Sequence, residues 1–103
     1  METLQNVKKE TMKNQSIKLI GGKFTPSEAG DIINAILDVK INFHKLQKLS
    51  IREGNENDKC EYDSSRIEEL IDAKHDAKAF FSDARLKGKK LKIESLVSIT
   101  IED

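Results

Sequence analysis

The feature that most constrains this chain is the sequence Thr25-Pro26-Ser27-Glu28, which marks the start of an α-helix. A threonine at the N-cap accepts a hydrogen bond from the backbone three residues on, and a glutamate there accepts one from the threonine N–H. Proline suits the first helical position because its missing N–H would have no partner there. We therefore expect a helix to begin at this point.

Apolar residues follow this start at spacings of three and four, which is the period of one helix face. They are Ala29, Ile32, Ile36, Val39, Phe43 and Leu46, with Ile33 and Leu37 widening the stripe near its beginning. The pattern predicts a helix that runs to about Ser50 or Arg52 and turns this stripe towards the core.

A polar, turn-rich segment at residues 53–62 is interpreted as the exposed tip of a helical hairpin. We expect a second helix after it, capped by Asp63 or by Ser65, which stands at capping-box spacing from Glu68. Gly88 is the predicted residue that stops this helix. The apolar face of the second helix consists of Ile67, Leu70, Ile71, Ala77, Phe80, Phe81 and Ala84.

Two segments rich in β-branched residues flank the helices. The first begins at Ser16 and ends in Gly21-Gly22, which marks a tight hairpin or a bulge, and we favour a kinked strand that leads directly into the helix. The last segment alternates apolar and polar residues, with a bulge or bend expected at Ser95 and Leu96. Its apolar residues are Leu91, Ile93, Val97, Ile99 and Ile101.

The order β-α-α-β predicts an α+β fold, a long antiparallel two-helix hairpin packed on a small antiparallel sheet. Two antiparallel helices bring the first and last strands side by side in opposite directions. A sheet of two or three strands leaves at least one edge open, and that edge is a candidate docking surface.

The length of 103 residues allows one domain with a thin core. Residues 1–15 are mostly polar and are predicted to form a flexible N-terminal arm, followed by a single α+β domain over residues 16–103. One cysteine excludes an intrachain disulfide, and no apolar run approaches the length of a membrane span. We expect a cytoplasmic protein with no membrane association.

The chain shows no catalytic, cofactor-binding or metal-binding motif. His44 and His75 lie one on each helix and could approach Asp72 or Asp76, but their spacing matches no metal motif, so solvated helix faces are the preferred interpretation. Cys60 lies in the acidic segment and is interpreted as an incidental, exposed loop cysteine. We therefore predict a non-enzymatic protein that uses no cofactor.

Basic residues concentrate at the end of the second helix and on the strands, although the formal net charge is zero. Such a cluster can bind the phosphates of RNA or DNA, but cations also suit a helix C-terminus and the edges of a sheet. With one Tyr, four Phe and no Trp, the chain offers little surface for base stacking. The candidate contacts are Lys18, Lys23, Arg85, Lys87, Lys89, Lys90 and Lys92.

Four apolar residues are candidate interface anchors, namely Leu49, Ile51, Phe80 and Phe81. The adjacent phenylalanines cannot both face the core, so one of them should be partly exposed, and large exposed aromatic residues are common interface anchors. Leu49 and Ile51 lie off the main stripe near the hairpin tip. These residues predict a hairpin that associates with a partner or with a second copy as a homodimer.

The segment from Ile17 to His44 carries a resemblance, through Leu19-Ile20-Gly21-Gly22-Lys23-Phe24-Thr25-Pro26-Ser27-Glu28-Ala29 followed by Ile41-Asn42-Phe43-His44. In these residues the chain resembles small uncharacterised proteins of Bacteroidetes-type bacteria. The similarity extends over most of residues 16–101 and implies no particular activity. In its size and its lack of catalytic motifs the chain also resembles phage-encoded inhibitors of bacterial defence, including anti-CRISPR proteins.

The leading expectation is a non-enzymatic interaction protein that binds a larger protein or nucleoprotein complex and inhibits or regulates it, as an anti-CRISPR-type inhibitor does. The absence of a motif for chemistry, the long helices and the uneven charge motivate this expectation. The alternative is a small RNA- or DNA-binding protein that uses the basic cluster around residues 85–92.

Overall fold

The computed structural model describes residues 13–102. Four elements follow one another: strand β1 (Asn14–Phe24), helix α1 (Pro26–Gly54), helix α2 (Glu61–Leu86) and strand β2 (Leu91–Thr100). The two strands form a two-stranded antiparallel sheet. The predicted α+β class and the β-α-α-β order are therefore confirmed.

The chain forms two compact units. The helical unit is Phe24–Leu91, and the ribbon unit consists, within the described residues, of residues 13–23 together with residues 92–102. Most of the predicted N-terminal arm, residues 1–12, lies outside the described residues. Asn14 and Gln15 belong to β1, so this strand begins two residues before the predicted Ser16.

Helix α1 starts at the capping sequence as predicted. The Glu28 N–H donates to Thr25 Oγ1 at 3.1 Å, and the Thr25 N–H donates to Glu28 Oε1 at 2.9 Å. Pro26 occupies the first helical position. The helix runs for 29 residues to Gly54, slightly beyond the predicted end.

Helix α2 starts earlier than predicted, and the expected caps at Asp63 and Ser65 are wrong. Its N-cap is Cys60, which has a left-handed backbone (φ 50°) and no side-chain capping bond. Asp58 Oδ1 accepts the Cys60 N–H at 2.8 Å and so closes the turn before the helix. Asp63 is the third residue of this helix and so cannot be its N-cap, and its Oδ1 is bonded to His44 of α1.

The predicted stop of α2 at Gly88 is confirmed. Gly88 has a φ of 66°, which glycine adopts without the steric cost of a Cβ atom. Its N–H donates to the Arg85 carbonyl at 3.1 Å, and the Lys89 N–H donates to the Ala84 carbonyl at 3.0 Å. This pair of bonds is a Schellman motif, which satisfies two carbonyls at the helix end.

The helices pack along a narrow seam, and the predicted core stripe of α1 is wrong over its second half. Val39, Phe43 and Leu46 are 69%, 51% and 58% exposed, whereas Ile41 and His44 are buried. At 100° per residue, Ile41 lies about 200° around the helix from Val39, so α2 packs on a different face of α1. The other buried residues of the seam are Ala29, Cys60, Asp63, Leu70 and Ala84.

In the ribbon unit, β1 runs through Gly21 and Gly22 without a turn, and Gly22 has a φ of 152°. The favoured interpretation, a strand that leads directly into the helix, is therefore confirmed over a hairpin. Strand β2 also runs unbroken through Ser95 and Leu96, where the sequence predicts a bulge or bend. Partial burial alternates from Leu91 to Ser98, and Ser95 keeps its place in this alternation between Ile93 and Val97.

Candidate interaction surfaces

A buried polar pair joins the helices near the hairpin tip. His44 Nδ1 lies 2.8 Å from Asp63 Oδ1, and the two residues are 2% and 3% exposed. The rings of Phe43 and Tyr62 meet the imidazole edge-on, at centroid distances of 5.2 and 5.9 Å. The interpretation of His44 as a solvated residue is wrong, because a residue this deeply buried contacts α2 and not solvent.

The structure does not bring the two histidines together. His75 is exposed and lines a groove on a flank of the hairpin with Asp38, Lys45 and Lys74, whereas His44 lies inside the seam. Within residues 13–102, no group of three or more His, Cys, Asp or Glu side chains is placed to hold a metal ion. The second nitrogen of His44, Nε2, is buried without a hydrogen-bond partner in the described part of the chain.

Cys60 is buried, so its interpretation as an exposed loop cysteine is wrong. Cys60 is the N-cap of α2, so it lies where the loop joins the helix. Its Sγ donates to the Lys48 carbonyl at 3.9 Å. The thiol therefore packs against α1.

An exposed apolar surface of the helical unit, here called the hairpin face, lies on α1. It continues onto α2, where Tyr62 and Phe80 are both exposed. These two residues are 18 positions apart, which is five helical turns, so they share one flank of α2. The hairpin face consists of the exposed Val39, Phe43 and Leu46 of α1 with Tyr62 and Phe80 of α2, while Ile32 and Ile36, earlier on the same line of α1, are partly buried.

The four predicted anchors have different environments. Phe80 is 62% exposed, whereas Phe81 is partly buried. The Cδ2 atom of Phe81 lies 3.6 Å from the position that a Cβ atom on Gly30 would occupy. The expectation that the two phenylalanines do not both face the core is thus confirmed. Leu49 and Ile51 are also exposed near the tip. A binding role for all four stays a prediction.

The ribbon unit exposes a second apolar surface, here called the ribbon face. Alternate residues of a strand point to the same side, and Ile101 N–H donates to the Lys13 carbonyl at 2.8 Å, which aligns the ends of the two strands. This alignment places Ile17, Leu19, Ile99 and Ile101 on one side, and all four are exposed. Because the sheet has two strands within the described residues, each strand also has one unpaired edge.

The predicted basic residues fall into two groups. Lys18, Lys23 and Lys92 belong to the ribbon unit, and the other four lie at the end of the helical unit, at Arg85, Lys87, Lys89 and Lys90.

Within residues 13–102, three of the seven basic residues have side-chain partners. Lys87 pairs with Asp83 at 2.9 Å, and Lys92 pairs with Glu94 at 3.3 Å. Arg85 donates to Ser27 Oγ at 2.9 Å, which ties the end of α2 to the start of α1. The two ion pairs are exposed on the surface and contribute little to stability, and the Ser27 hydroxyl leaves the charge of Arg85 uncompensated.

The start of α1 contains a carboxylate with an altered pKa. The Thr25 N–H and then the Thr25 side chain, both bonded to Glu28, hold the pKa of that carboxyl below its ordinary value, and the charge of Lys90 acts in the same direction. The Glu28 carboxylate is therefore stabilised in its charged form by the capping box.

Neither helix of the described chain has an apolar stretch long enough to cross a bilayer. Comparison with protein-family models, curated proteins and solved structures found no match for this chain.

Proposed function

We propose that this chain is a non-enzymatic interaction protein that binds a larger protein or nucleoprotein complex in the cytoplasm and inhibits or regulates it. The observation that supports this proposal is the ribbon face, an exposed apolar surface on a sheet with an open edge on each strand. An isolated two-stranded ribbon is marginally stable in water and gains stability when its apolar side is covered.

The unpaired edges of β1 and β2 suit a partner that adds a strand. Backbone N–H and C=O groups at a sheet edge can pair with an extended segment of another protein, while neighbouring side chains supply specificity. In this chain the apolar residues beside those edges are Ile17 and Leu19 on β1 and Ile99 on β2. The ribbon can therefore offer both hydrogen bonds and apolar contacts to one partner.

The charges of the ribbon favour an acidic partner. Its described residues include Lys13, Lys18, Lys23 and Lys92 against Glu94 and Glu102. A positive surface attracts acidic proteins and nucleoprotein complexes and speeds their association. We therefore propose that the chain acts by stoichiometric binding, as an inhibitor of the anti-CRISPR type.

The test is affinity capture from the native host, with quantitative mass spectrometry of the bound proteins. We expect a stoichiometric partner with the unmodified chain and its loss with Ile99→Glu, which places a charge on the ribbon face. Leu96→Glu is the matched control, because Leu96 is also exposed on β2 but points to the opposite side of the ribbon. Equal capture by both variants, or no stoichiometric partner at all, would contradict the proposal.

The alternative function, RNA or DNA binding, is supported by Lys89 and Lys90, which form no ion pair within residues 13–102. Binding to phosphates must weaken steeply as salt rises, because condensed counterions are released. Titration of labelled oligonucleotides at two salt concentrations tests this alternative. Unchanged affinity would exclude phosphate binding, and unchanged affinity in the Lys89→Ala, Lys90→Ala double variant would exclude these two residues.

A further inference from the structure

A groove runs along one flank of the helical hairpin, between α1 and α2, and is here called the flank groove. On each helix its lining residues follow one another at spacings of three and four, so each helix contributes one line of side chains. These residues include Asp38, Ile41 and Lys45 of α1 and Ile71, Lys74 and Lys78 of α2.

Two contacts between the helices fix how the two lines are aligned. Arg85 donates to Ser27 Oγ at 2.9 Å, and Lys74 pairs with Asp38 at 2.6 Å. From the first contact to the second, α1 advances by eleven residues and α2 goes back by eleven. The helices are therefore antiparallel and in step over this stretch, so the position of a residue on one helix gives the residue level with it on the other.

The middle of the flank groove is apolar. Three residues beyond the pair of Lys74 and Asp38, the alignment places Ile71 of α2 level with Ile41 of α1. Ile41 is buried, whereas Ile71 is 38% exposed. The floor of the groove therefore offers aliphatic surface that a partner can cover.

Each end of the flank groove has a lysine with a free charge. The alignment places Lys78 level with Asn34, and Lys45 lies eleven residues further along α1. At 1.5 Å per residue, the two lysines are about 16 Å apart along the hairpin. Neither of them forms an ion pair within residues 13–102, whereas Lys74, between them, is paired with Asp38. The groove is thus positive at both ends and balanced in the middle.

This distribution of charge and apolar surface matches an amphipathic helix. Residues of a helix at a first position and at the fourth, seventh and eleventh positions after it share one face, over about three turns. Acidic residues at the two ends of such a line would meet the two lysines, and apolar residues at the two positions between them would cover Ile71. A nucleic acid matches less well, because its continuous negative charge would also lie against Asp38.

A second copy of this chain does not supply the matching helix. The line needs acidic residues eleven positions apart, with apolar residues at the fourth and seventh positions after the first. No stretch of α1 or α2 has this pattern. The occupant that complements the groove is therefore a helix of another protein.

We propose that the flank groove binds an acidic amphipathic helix of a partner protein, with one acidic residue beside Lys45 and another, eleven positions away, beside Lys78. The bound helix would cover Ile71 and turn the hairpin into a three-helix bundle with a thicker core. The flank groove belongs to the helical unit, whereas the proposed function rests on the ribbon face. The failure of either proposal therefore leaves the other standing.

The first test titrates the full chain into a fluorescently labelled, alanine-rich peptide of about 20 residues, long enough to form a helix. The peptide has two glutamates eleven positions apart and leucines at the two positions between them. Fluorescence anisotropy should show saturable binding with a Kd below about 1 mM. A control peptide of the same composition, with its leucines on the opposite side of the helix, should bind at least about tenfold more weakly. No saturable binding, or equal binding of the two peptides, would overturn the proposal.

The second test reverses the charges at the two ends of the groove. Lys45→Glu and Lys78→Glu should each weaken binding of the acidic peptide about tenfold. Lys40→Glu is the matched control: it makes the same change on α1, but Lys40 Nζ lies 5.3 Å from the centre of the Phe43 ring, on the hairpin face. Circular dichroism verifies that all variants keep their helices.

The charge reversal also has a rescue. The double variant Lys45→Glu, Lys78→Glu should bind a peptide in which lysines replace the two glutamates, because the ion pairs form again with opposite signs. Failure of this rescue, or equal weakening by Lys40→Glu and Lys45→Glu, would contradict the proposed contacts. Tighter binding of a labelled oligothymidylate than of the acidic peptide, lost in Lys45→Glu, would show that the groove binds nucleic acid instead.

Discussion

The two ends of the helical hairpin are held together by different chemistry. At the base, α1 contributes the fully buried Ala29, and α2 contributes the buried Ala84. At the tip, the helices are joined by the His44 and Asp63 side chains, 2.8 Å apart. Short side chains set how closely two helices approach, whereas a hydrogen bond also sets which residues stand opposite each other.

The two ends of the hairpin should therefore respond differently to amino-acid substitution. An apolar contact loses free energy gradually as its shape is altered, since neighbouring side chains partly adjust. A buried polar pair loses much more when one partner is removed, because the other partner stays buried without its hydrogen bond. We therefore expect the tip to be more sensitive than the base.

The largest expected effect is that of Asp63→Ala, which leaves His44 buried without its partner. Loss of one partner from a buried hydrogen bond costs about 1–3 kcal/mol, and more where a charged group is involved. The free energy of unfolding should fall by an amount of this order in urea denaturation. The matched control is Asp38→Ala, which also breaks a contact between the helices, but an exposed one with Lys74. Its cost should stay below about 1 kcal/mol.

Equal losses in the free energy of unfolding for Asp63→Ala and Asp38→Ala would contradict this expectation, because the buried pair would then contribute no more than a surface pair. Replacement of both His44 and Asp63 by leucine removes the pair without leaving a buried histidine unpaired. If the single variant is destabilised by an unpaired histidine, the double variant should recover part of the lost stability. The recovery is measured in the same urea titration.

A smaller effect is expected at the base, from Ala29→Leu. Extra carbon atoms in a fully buried position force the helices apart or strain side chains, at about 1–3 kcal/mol. Gly30→Ala is the matched control, because its new methyl group would lie 3.6 Å from Phe81 Cδ2, an ordinary contact distance. Alanine also favours a helix over glycine, so this control should gain about 0.5–1 kcal/mol. Destabilisation by both substitutions would show that Phe81 packs too tightly to accept any addition.

The same two ends differ in how well the sequence predicts them. The start of α1 and the stop of α2 are local: Thr25 bonds a residue three positions away, and Gly88 supplies a backbone angle that glycine favours. The contact between His44 and Asp63 joins residues 19 positions apart, so no local pattern announces it. For that reason the sequence predicts Asp63 as a helix cap, whereas the helix begins two residues earlier and Asp63 bonds to His44 of the other helix.

The candidate surfaces were predictable only in part, because α1 has more than one apolar line. A second line consists of Ile33, Leu37 and Ile41. Both lines have helical spacing, so the sequence of α1 alone does not determine which of them faces α2. The line through Val39 is the longer one and was the natural choice for the core. The contact with α2 decides otherwise, since Ile41 and His44 are buried and Val39 is exposed. Surfaces left for partners thus depend on tertiary packing.

The smallest expected effect concerns the cap at the base, which depends on the charge of Glu28. The bond from the Thr25 N–H holds the pKa of the Glu28 carboxyl below its ordinary value of 4.5. A carboxyl whose pKa is lower in the folded state contributes stability above the unfolded pKa, and this contribution is lost as the pH falls through the folded pKa. The capping box should therefore weaken in acid, whereas at neutral pH it is fully formed.

Glu28→Gln isolates this contribution, because glutamine keeps an oxygen that can accept the Thr25 N–H but does not titrate. Urea denaturation from about pH 6 to about pH 3 should show a smaller loss of stability in this variant than in the unmodified chain. All other carboxyls are common to both proteins, so the difference between the two curves reports on Glu28. Identical curves would mean that the charge of Glu28 adds nothing to the stability of the cap, which would then depend on Thr25 and Pro26.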